Sequence, residues 1–121
     1  DHKESDIDNI EEQNMILDIG KNTVKLIKNE ISKSKTVFWN GPLGVFETSP
    51  FDRGTVEIAK FISNLTANNK IRSFAGGGDT ISALDLAGVK DNFSYVSTGG
   101  GALLELIEGK KLPGLVALGI L

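Results

Sequence analysis

Residues 74–80 read Phe-Ala-Gly-Gly-Gly-Asp-Thr, and this stretch joins the end of a predicted strand to the start of a predicted helix. Residues 71–75 form a short apolar run, which is typical of a buried strand. The glycine triplet lets the backbone turn and approach a ligand closely. A helix start carries unpaired N–H groups and the positive end of the helix dipole, so it suits a phosphate group. The stretch therefore predicts a strand–turn–helix unit with a candidate anion site.

The same design recurs later in the chain. Residues 93–97 are typical of a strand, residues 98–101 of a glycine turn, and residues 102–108 of a helix whose buried face holds Leu103, Leu104 and Ile107. One such turn is explained by loop geometry, but two in a short chain favour a site. Neither matches a familiar fingerprint, because Ile81 stands where the dinucleotide motif needs its third glycine.

The composition excludes several kinds of protein. The 121 residues suit one modest domain, and the absence of cysteine excludes disulfides and cysteine-ligated zinc. The single histidine, His2, argues against a histidine-based triad or a histidine-rich metal site. No run is long and apolar enough for a membrane helix, and no basic-then-apolar signal opens the chain. We therefore expect a cytoplasmic protein.

Charge is distributed unevenly. Residues 1–14 hold six of the 16 acidic residues and one of the 13 basic ones, which is typical of a solvated, mobile head. The rest of the chain is close to neutral and lacks the basic stripe of a nucleic-acid binder. We therefore divide the chain into a head, residues 1–14, and a folded part, residues 15–121.

Helices and strands are predicted to alternate. The pattern indicates a helix capped by Asn22 or Thr23 and ending near Ser34, a strand at 36–39, a helix at 52–65 and the two strand–glycine–helix units. Strands separated by helices imply a parallel sheet with helices on both faces, a three-layer αβα arrangement. Ligands bind beyond the carboxyl ends of such strands. The loops at 40–44, 76–80 and 98–101 should therefore meet at one rim.

Two rim carboxylates have alternative explanations. Asp79 is placed to cap the helix that follows the glycine triplet, and Gly88 is placed to end that helix. Asp79 is also placed to hold magnesium that is already bound to phosphates. Glu47 is either a site residue or an ordinary surface residue. The aromatic residues Trp39, Phe46 and Phe51 are better explained as core.

Four stretches in this order resemble the C-terminal part of the phosphoglycerate kinase family. They are VFWNGPLGVFE (37–47), GGGDT (76–80), VSTGGGA (96–102) and LIEGKKLPG (106–114). The resemblance runs from about Leu17 to the end of the chain. It implies a fragment of a larger, doubly wound nucleotide-binding domain with a Rossmann-like parallel sheet.

The resemblance also implies an activity and a set of site residues. The family transfers a phosphoryl group between 1,3-bisphosphoglycerate and ADP, giving 3-phosphoglycerate and ATP with Mg²⁺. By resemblance, Gly77, Gly78, Asp79 and Thr80 would cradle the nucleotide phosphates, with Asp79 toward Mg²⁺. Asn40 and Pro42 would line the nucleotide site, Glu47 would bind the ribose, and Leu17 would border the adenine. The turn Gly99, Gly100 and Gly101 would stabilise the transferring phosphoryl group, the catalytic role.

Two departures from the family pattern matter. Lys21 stands where the family usually has proline, so the loop near the adenine is expected to differ. The chain is also much shorter than the family, lacking its phosphoglycerate-binding domain, so we expect the fragment alone to be inactive. We expect the full-length parent protein to be monomeric. In the fragment, an uncovered edge of the sheet would allow self-association.

Other functions fit the same residues. A non-catalytic module that binds a nucleotide or phosphate would keep the glycine turns without the transfer machinery. A fragment that binds nothing is the third reading. Mg-ADP binding without turnover would fit both the binding module and an incomplete enzyme, and only the full gene separates those two.

Overall fold

A computed structural model of the chain describes residues 3–6, 8 and 14–97. The predicted turn at 98–101 and the predicted helix at 102–108 lie outside these residues. The elements are α1 (Lys21–Lys33), β1 (Thr36–Asn40), α2 (Arg53–Ala67), β2 (Arg72–Gly76), α3 (Gly78–Ala87), a 3₁₀ helix (Lys90–Asn92) and β3 (Tyr95–Ser97).

The described strands form one parallel sheet in the order β1–β2–β3. This confirms the predicted α/β fold, since α2 and α3 supply the crossovers that parallel neighbours require. The strands end level with one another, because Asn40 is paired with Gly76 and Gly76 with Ser97. The loops after β1 and β2 therefore start side by side on the predicted rim.

One hydrophobic core lies between this sheet and the three described α-helices. Helices α1 and α3 both pack against α2. The side chains of Ile58 and Ile62 on α2 are almost fully covered. The core contains Val24, Ile31, Trp39, Ile58, Ala59, Ile62, Ile71, Ala75, Leu84 and Phe93.

A polar cluster ties β2 to its neighbours inside this core. The hydroxyl of Ser73, which is fully buried, lies 2.8 Å from that of Thr66 on α2. Ser73 N–H donates to Ser94 Oγ at 3.0 Å, and Ser94 N–H donates to Ser73 Oγ at 3.1 Å. Because buried polar groups are costly when unpaired, this reciprocal pairing fixes the entry of β3 beside β2.

The start of α1 differs from the prediction. Its N-cap is Gly20, not Asn22 or Thr23, and α1 begins at Lys21. Lys21 N–H donates to the Glu4 carboxylate at 3.2 Å, so an acidic side chain 17 residues away binds the exposed helix start. The local sequence contains no sign of this partner, which is why the predicted cap was wrong.

The start of α3 also corrects a prediction. Gly77 is the N-cap with a φ of 94°, and Asp79 lies in the first turn, so Asp79 is not the cap. Gly88 ends the helix in the left-handed conformation, as predicted, with a φ of 73°. On this helix Leu84 is fully buried, whereas Leu86 is 54 % exposed.

The strand predicted at 93–97 is shorter in the structure. The 3₁₀ helix Lys90–Asn92 precedes it, and β3 covers only Tyr95–Ser97. Phe93 is buried because it packs in the core before the strand begins, with its ring 6.3 Å from that of Trp39. The predicted strand therefore begins two residues too early, because the buried Phe93 was taken as a strand residue.

The second face of the sheet carries a row of aromatic side chains, which we call the aromatic row. It consists of Phe38, Phe74 and Tyr95, which are register partners on the three strands. Alternate strand residues point to opposite faces, so this row lies away from the core residues Trp39 and Ala75. The described residues thus supply two of the three predicted layers.

The described residues include no helix long and apolar enough to cross a membrane.

Candidate functional site

The loop after β1 is held in place by three of its own N–H groups. They alternate along the loop, and each donates to a different element: α3, α2 and the segment before α1. Two of the acceptors, Thr80 and Thr55, are at most 1 % exposed. The bonds are Gly41 N–H to Thr80 Oγ1 at 2.6 Å, Leu43 N–H to Thr55 Oγ1 at 3.0 Å, and Val45 N–H to the Leu17 carbonyl at 2.8 Å.

Two aromatic side chains support the same loop from inside. The indole N–H of Trp39 donates to the Gly41 carbonyl, and Phe46 is 7 % exposed. Both are buried, as predicted, and Phe51 is half-buried. The loop is therefore a defined part of the fold, and it fixes the backbone positions of Pro42 and Glu47.

The start of α3 faces this loop across the rim. A Cβ on Gly77 would lie 3.1 Å from Asn40 Oδ1, so the two loops approach closely here. The positive φ of Gly77 makes any other residue strained as well. Gly78 and Asp79 are both exposed beside this junction, and among the described residues no side chain caps the helix. The helix therefore starts with unpaired N–H groups at an exposed part of the rim.

Asp18 is a junction residue that the sequence did not reveal. Its Oδ2 accepts from Gly54 N–H at 2.9 Å, at the start of α2, and its Oδ1 accepts from Ile19 N–H at 2.8 Å. A Cβ on Gly44 would lie 2.5 Å from Asp18 Oδ1, and one on Gly54 would lie 2.6 Å from the same atom. Asp18 therefore locks the segment that carries Leu17 against both the rim loop and α2.

The structure brings part of the predicted nucleotide-binding set together. Asn40, Gly77 and Thr80 meet where the first two rim loops contact each other, and Leu17 joins them through Val45. Pro42 and Glu47 lie on the loop held by these contacts, and Glu47 is exposed. The predicted catalytic residues Gly99, Gly100 and Gly101 lie outside the described residues.

A cavity of about 540 Å³ lies next to this rim, beside the starts of α1 and α2. Of the predicted site residues, only Leu17 lines it; Asp18, Gly54 and Glu57 are among its other walls. The cavity and the glycine turn are therefore neighbouring features that share the Leu17–Asp18 segment.

The charged groups at the rim are few. Within residues 3–6, 8 and 14–97, no three His, Cys, Asp or Glu side chains lie together in a group that could hold a metal ion. Asp79 is the exposed carboxylate in the first turn of α3. A divalent cation at this rim would thus need oxygen ligands from a bound molecule in addition to Asp79.

Comparison with known proteins identifies relatives of this chain. The family model described as phosphoglycerate kinase matches residues 1–110. The phosphoglycerate kinase of Xanthobacter flavus is 49 % identical over 117 residues, and that of Bartonella henselae is 53 % identical over 117 residues. Each alignment covers 97 % of this chain and 30 % of the relative, so the chain spans about three-tenths of their length.

Solved structures give the same result. The phosphoglycerate kinase of Coxiella burnetii superposes with a TM-score of 0.80 at 40 % identity, covering 95 % of this chain and 28 % of that one. The enzyme of Pyrococcus horikoshii OT3 gives a TM-score of 0.69 at 40 % identity, covering 89 % of this chain and 25 % of that one. The chain therefore belongs to the phosphoglycerate kinase family.

Proposed function

We propose that this chain forms part of the Mg-nucleotide site of a phosphoglycerate kinase. The parent enzyme would transfer a phosphoryl group between 1,3-bisphosphoglycerate and ADP, giving 3-phosphoglycerate and ATP in cytoplasmic glycolysis. The observation that carries the proposal is the open start of α3, where Gly78 and Asp79 are exposed beside a rim loop held by Thr80.

The nucleotide phosphates would bind at this helix start. The N–H groups of Gly78, Asp79 and Thr80 have no acceptor within the helix, and the helix dipole adds positive potential. A Cβ on Gly78 would meet no atom within 4 Å, so the backbone there is open to a ligand. Close approach of an anion to several N–H groups is the geometry by which helix starts bind phosphates.

Magnesium would bind between Asp79 and the phosphates. Mg²⁺ in proteins is commonly held by one or two carboxylates together with phosphate oxygens and water. One exposed carboxylate in the first turn of α3 fits that requirement. Asp79 would hold the ion in position, and the bound ion would supply positive charge next to the phosphates.

The nucleoside would lie along the loop that follows β1. Leu17 is half-buried and bonded through its carbonyl to Val45, so it offers an apolar edge with a fixed backbone. The exposed carboxylate of Glu47 is free to accept hydrogen bonds from a ribose, and Asn40 and Pro42 border the same loop. These roles follow the resemblance, and the hydrogen bonds of the loop support them.

Transfer itself would require more than the described residues. The proposal assigns stabilisation of the moving phosphoryl group to the N–H groups of Gly99, Gly100 and Gly101, since such transfer depends on positioning and charge stabilisation. Because the chain spans about three-tenths of its relatives, we expect nucleotide binding without turnover.

The test is an amide-resolved NMR titration of this chain with Mg-ADP. The expected result is saturable shifts at Gly77, Gly78 and Asp79 and near Glu47. The variant Gly78→Ala should fold normally and lose these shifts, because its methyl group occupies the path of the phosphates. Leu86→Ala, on the exposed side of the same helix, is the matched control and should titrate like the wild type.

Three outcomes would count against the proposal or a part of it. Shifts elsewhere, with none at the start of α3, would place the nucleotide at another surface. Equal affinity of Gly78→Ala and the wild type for Mg-ADP would show that the phosphate contact on which the proposal depends does not exist. A coupled assay that detected ATP formation by this chain alone would contradict the expected lack of turnover.

A further inference from the structure

Asparagine followed directly by glycine is the pair most prone to deamidation in proteins, and this chain carries one such pair at the rim. Of the asparagines in the sequence, Asn40 alone precedes a glycine. Because glycine has no side chain and a permissive backbone, its nitrogen reaches the preceding carboxamide more easily than that of other residues. The pair lies where β1 ends and the rim loop begins, so it is a candidate site of chemical modification.

The two reacting groups of this pair are held very differently. Asn40 is exposed, and its carboxamide makes no hydrogen bond with the described residues. The Gly41 N–H, in contrast, donates to the hydroxyl of the buried Thr80 at 2.6 Å. Asn40 is also the register partner of Gly76 in the parallel sheet, which keeps its backbone extended. The carboxamide is thus free to turn, whereas the nitrogen that would attack it is fixed.

The reaction requires that this nitrogen be released. The Gly41 nitrogen bonds to the side-chain carbonyl carbon of Asn40, and its proton passes through solvent to the departing amide group, which leaves as ammonia. The product is a five-membered succinimide ring, and water then opens this ring at either carbonyl to give aspartate or isoaspartate. The ring nitrogen carries no hydrogen, so the succinimide and the hydrogen bond to Thr80 exclude each other.

We propose that Asn40–Gly41 is a deamidation site that the hydroxyl of Thr80 protects. In the closed loop, the bond to Thr80 and the pairing of β1 keep the Gly41 nitrogen from turning toward the side chain. When the loop opens locally, the nitrogen is released and the pair reacts as it does in an unfolded chain. Since opening is much faster than this slow reaction, the rate follows the population of the open form. Weakening the Thr80 bond therefore accelerates the modification.

The product places a negative charge at the start of α3. Asn40 Oδ1 lies 3.1 Å from the position that a Cβ on Gly77 would take, and Gly77 is the N-cap of this helix. A carboxylate at the same place would repel an anion that approaches the N–H groups of the first turn. We therefore expect deamidation to weaken binding of nucleotide phosphates. This consequence rests on the proposed function, whereas the deamidation site does not.

The test follows deamidation of the purified chain in mildly alkaline buffer by peptide mass spectrometry. In the wild type, Asn40 should react much more slowly in the folded chain than in urea. Thr80→Val should accelerate the reaction at Asn40 by roughly 5–30-fold, because the loss of one buried hydrogen bond shifts the opening equilibrium by that factor. Thr80→Ser keeps the hydroxyl and should react like the wild type. Asn92, which is exposed and precedes Phe93, is the internal control and should react equally in all three chains.

Circular dichroism confirms that the compared variants are folded, and the comparison of the wild type with and without urea needs no variant. Equal rates at Asn40 in folded Thr80→Val and the wild type would show that the hydroxyl gives no protection. Equal rates in the folded and the urea-unfolded wild type would show that the fold gives none. A rate at Asn40 in urea no higher than that at Asn92 would remove the chemical basis of the site. Each of these results would overturn the proposal.

Asn40→Asp introduces the charge of the product directly. It should weaken binding of Mg-ADP by roughly tenfold relative to Asn40→Ala, which removes the amide without adding charge. Asn92→Asp adds the same charge outside the rim and should bind like the wild type. Equal affinity of Asn40→Asp and Asn40→Ala would overturn the expected effect on nucleotide binding. A wild type that does not bind Mg-ADP would contradict the proposed function, and the deamidation rates would still decide whether the site exists.

Discussion

Replacing Thr80 by valine should loosen the rim loop while leaving the core filled. Thr80 is 1 % exposed, and its hydroxyl accepts the Gly41 N–H at 2.6 Å. Valine has nearly the shape of threonine but lacks the hydroxyl. The Gly41 N–H therefore loses its acceptor, and the contact between the loop after β1 and the start of α3 is lost.

The magnitude follows from what the unpaired group costs. A buried donor left without a partner costs about 1–3 kcal/mol. Gly41 is only half-buried, so water replaces part of the bond, and we expect a loss of about 1.5 kcal/mol in the free energy of unfolding. For a chain of 121 residues, with an unfolding entropy of about 0.25 kcal/mol/K, such a loss lowers Tm by about 6 °C.

Trp39 makes the measurement direct, because it is the only tryptophan, is buried and contacts the affected loop through its indole. Urea unfolding followed by its fluorescence gives the stability difference, and hydrogen exchange gives the protection of the Gly41 amide. Thr80→Ser is the matched control, since it keeps the hydroxyl and should keep the Gly41 amide protected. An unchanged Gly41 amide in Thr80→Val would refute the proposed anchoring of the loop.

Two further substitutions test the junction and the core. Asp18→Ala should lower the free energy of unfolding by about 1–3 kcal/mol, because the Gly54 and Ile19 N–H groups lose their acceptors, and calorimetry against the exposed-site variant Leu86→Ala measures it. Leu84→Ala should cost about 2–5 kcal/mol because this side chain is fully buried, whereas Leu86→Ala should stay within about 0.5 kcal/mol in the same urea titration.

Much of the fold was predictable because the decisive signals are local. Glycine turns directly after short apolar runs identified two strand ends, and the alternation of helices and strands gave a parallel sheet. Parallel strands place their carboxyl ends at one edge, so the meeting of the loops at Asn40 and Gly77 followed from topology alone. No side-chain contact was needed for that step.

The errors arose where the partner is distant in sequence. The Glu4 carboxylate at the start of α1 lies 17 residues from Lys21, and Asp18 lies 36 residues from Gly54. Propensity and periodicity describe neighbours within a turn or two, so they contain no information on such pairs. The same holds for Thr55, whose apolar surroundings on α2 gave no sign that its hydroxyl anchors Leu43.

The glycines at the rim are needed for different structural reasons, and this difference is relevant to function. Gly44 and Gly54 leave no room, since an added Cβ would lie within 2.6 Å of Asp18 Oδ1 in both cases, and Gly77 has a φ of 94°. Gly78 has neither constraint, because no atom lies within 4 Å of its absent Cβ and it belongs to α3. Alanine would favour a helix there by up to about 1 kcal/mol. The fold of the described residues therefore gives no reason for glycine at position 78, whereas the phosphate contact that we propose would require the backbone there to stay open.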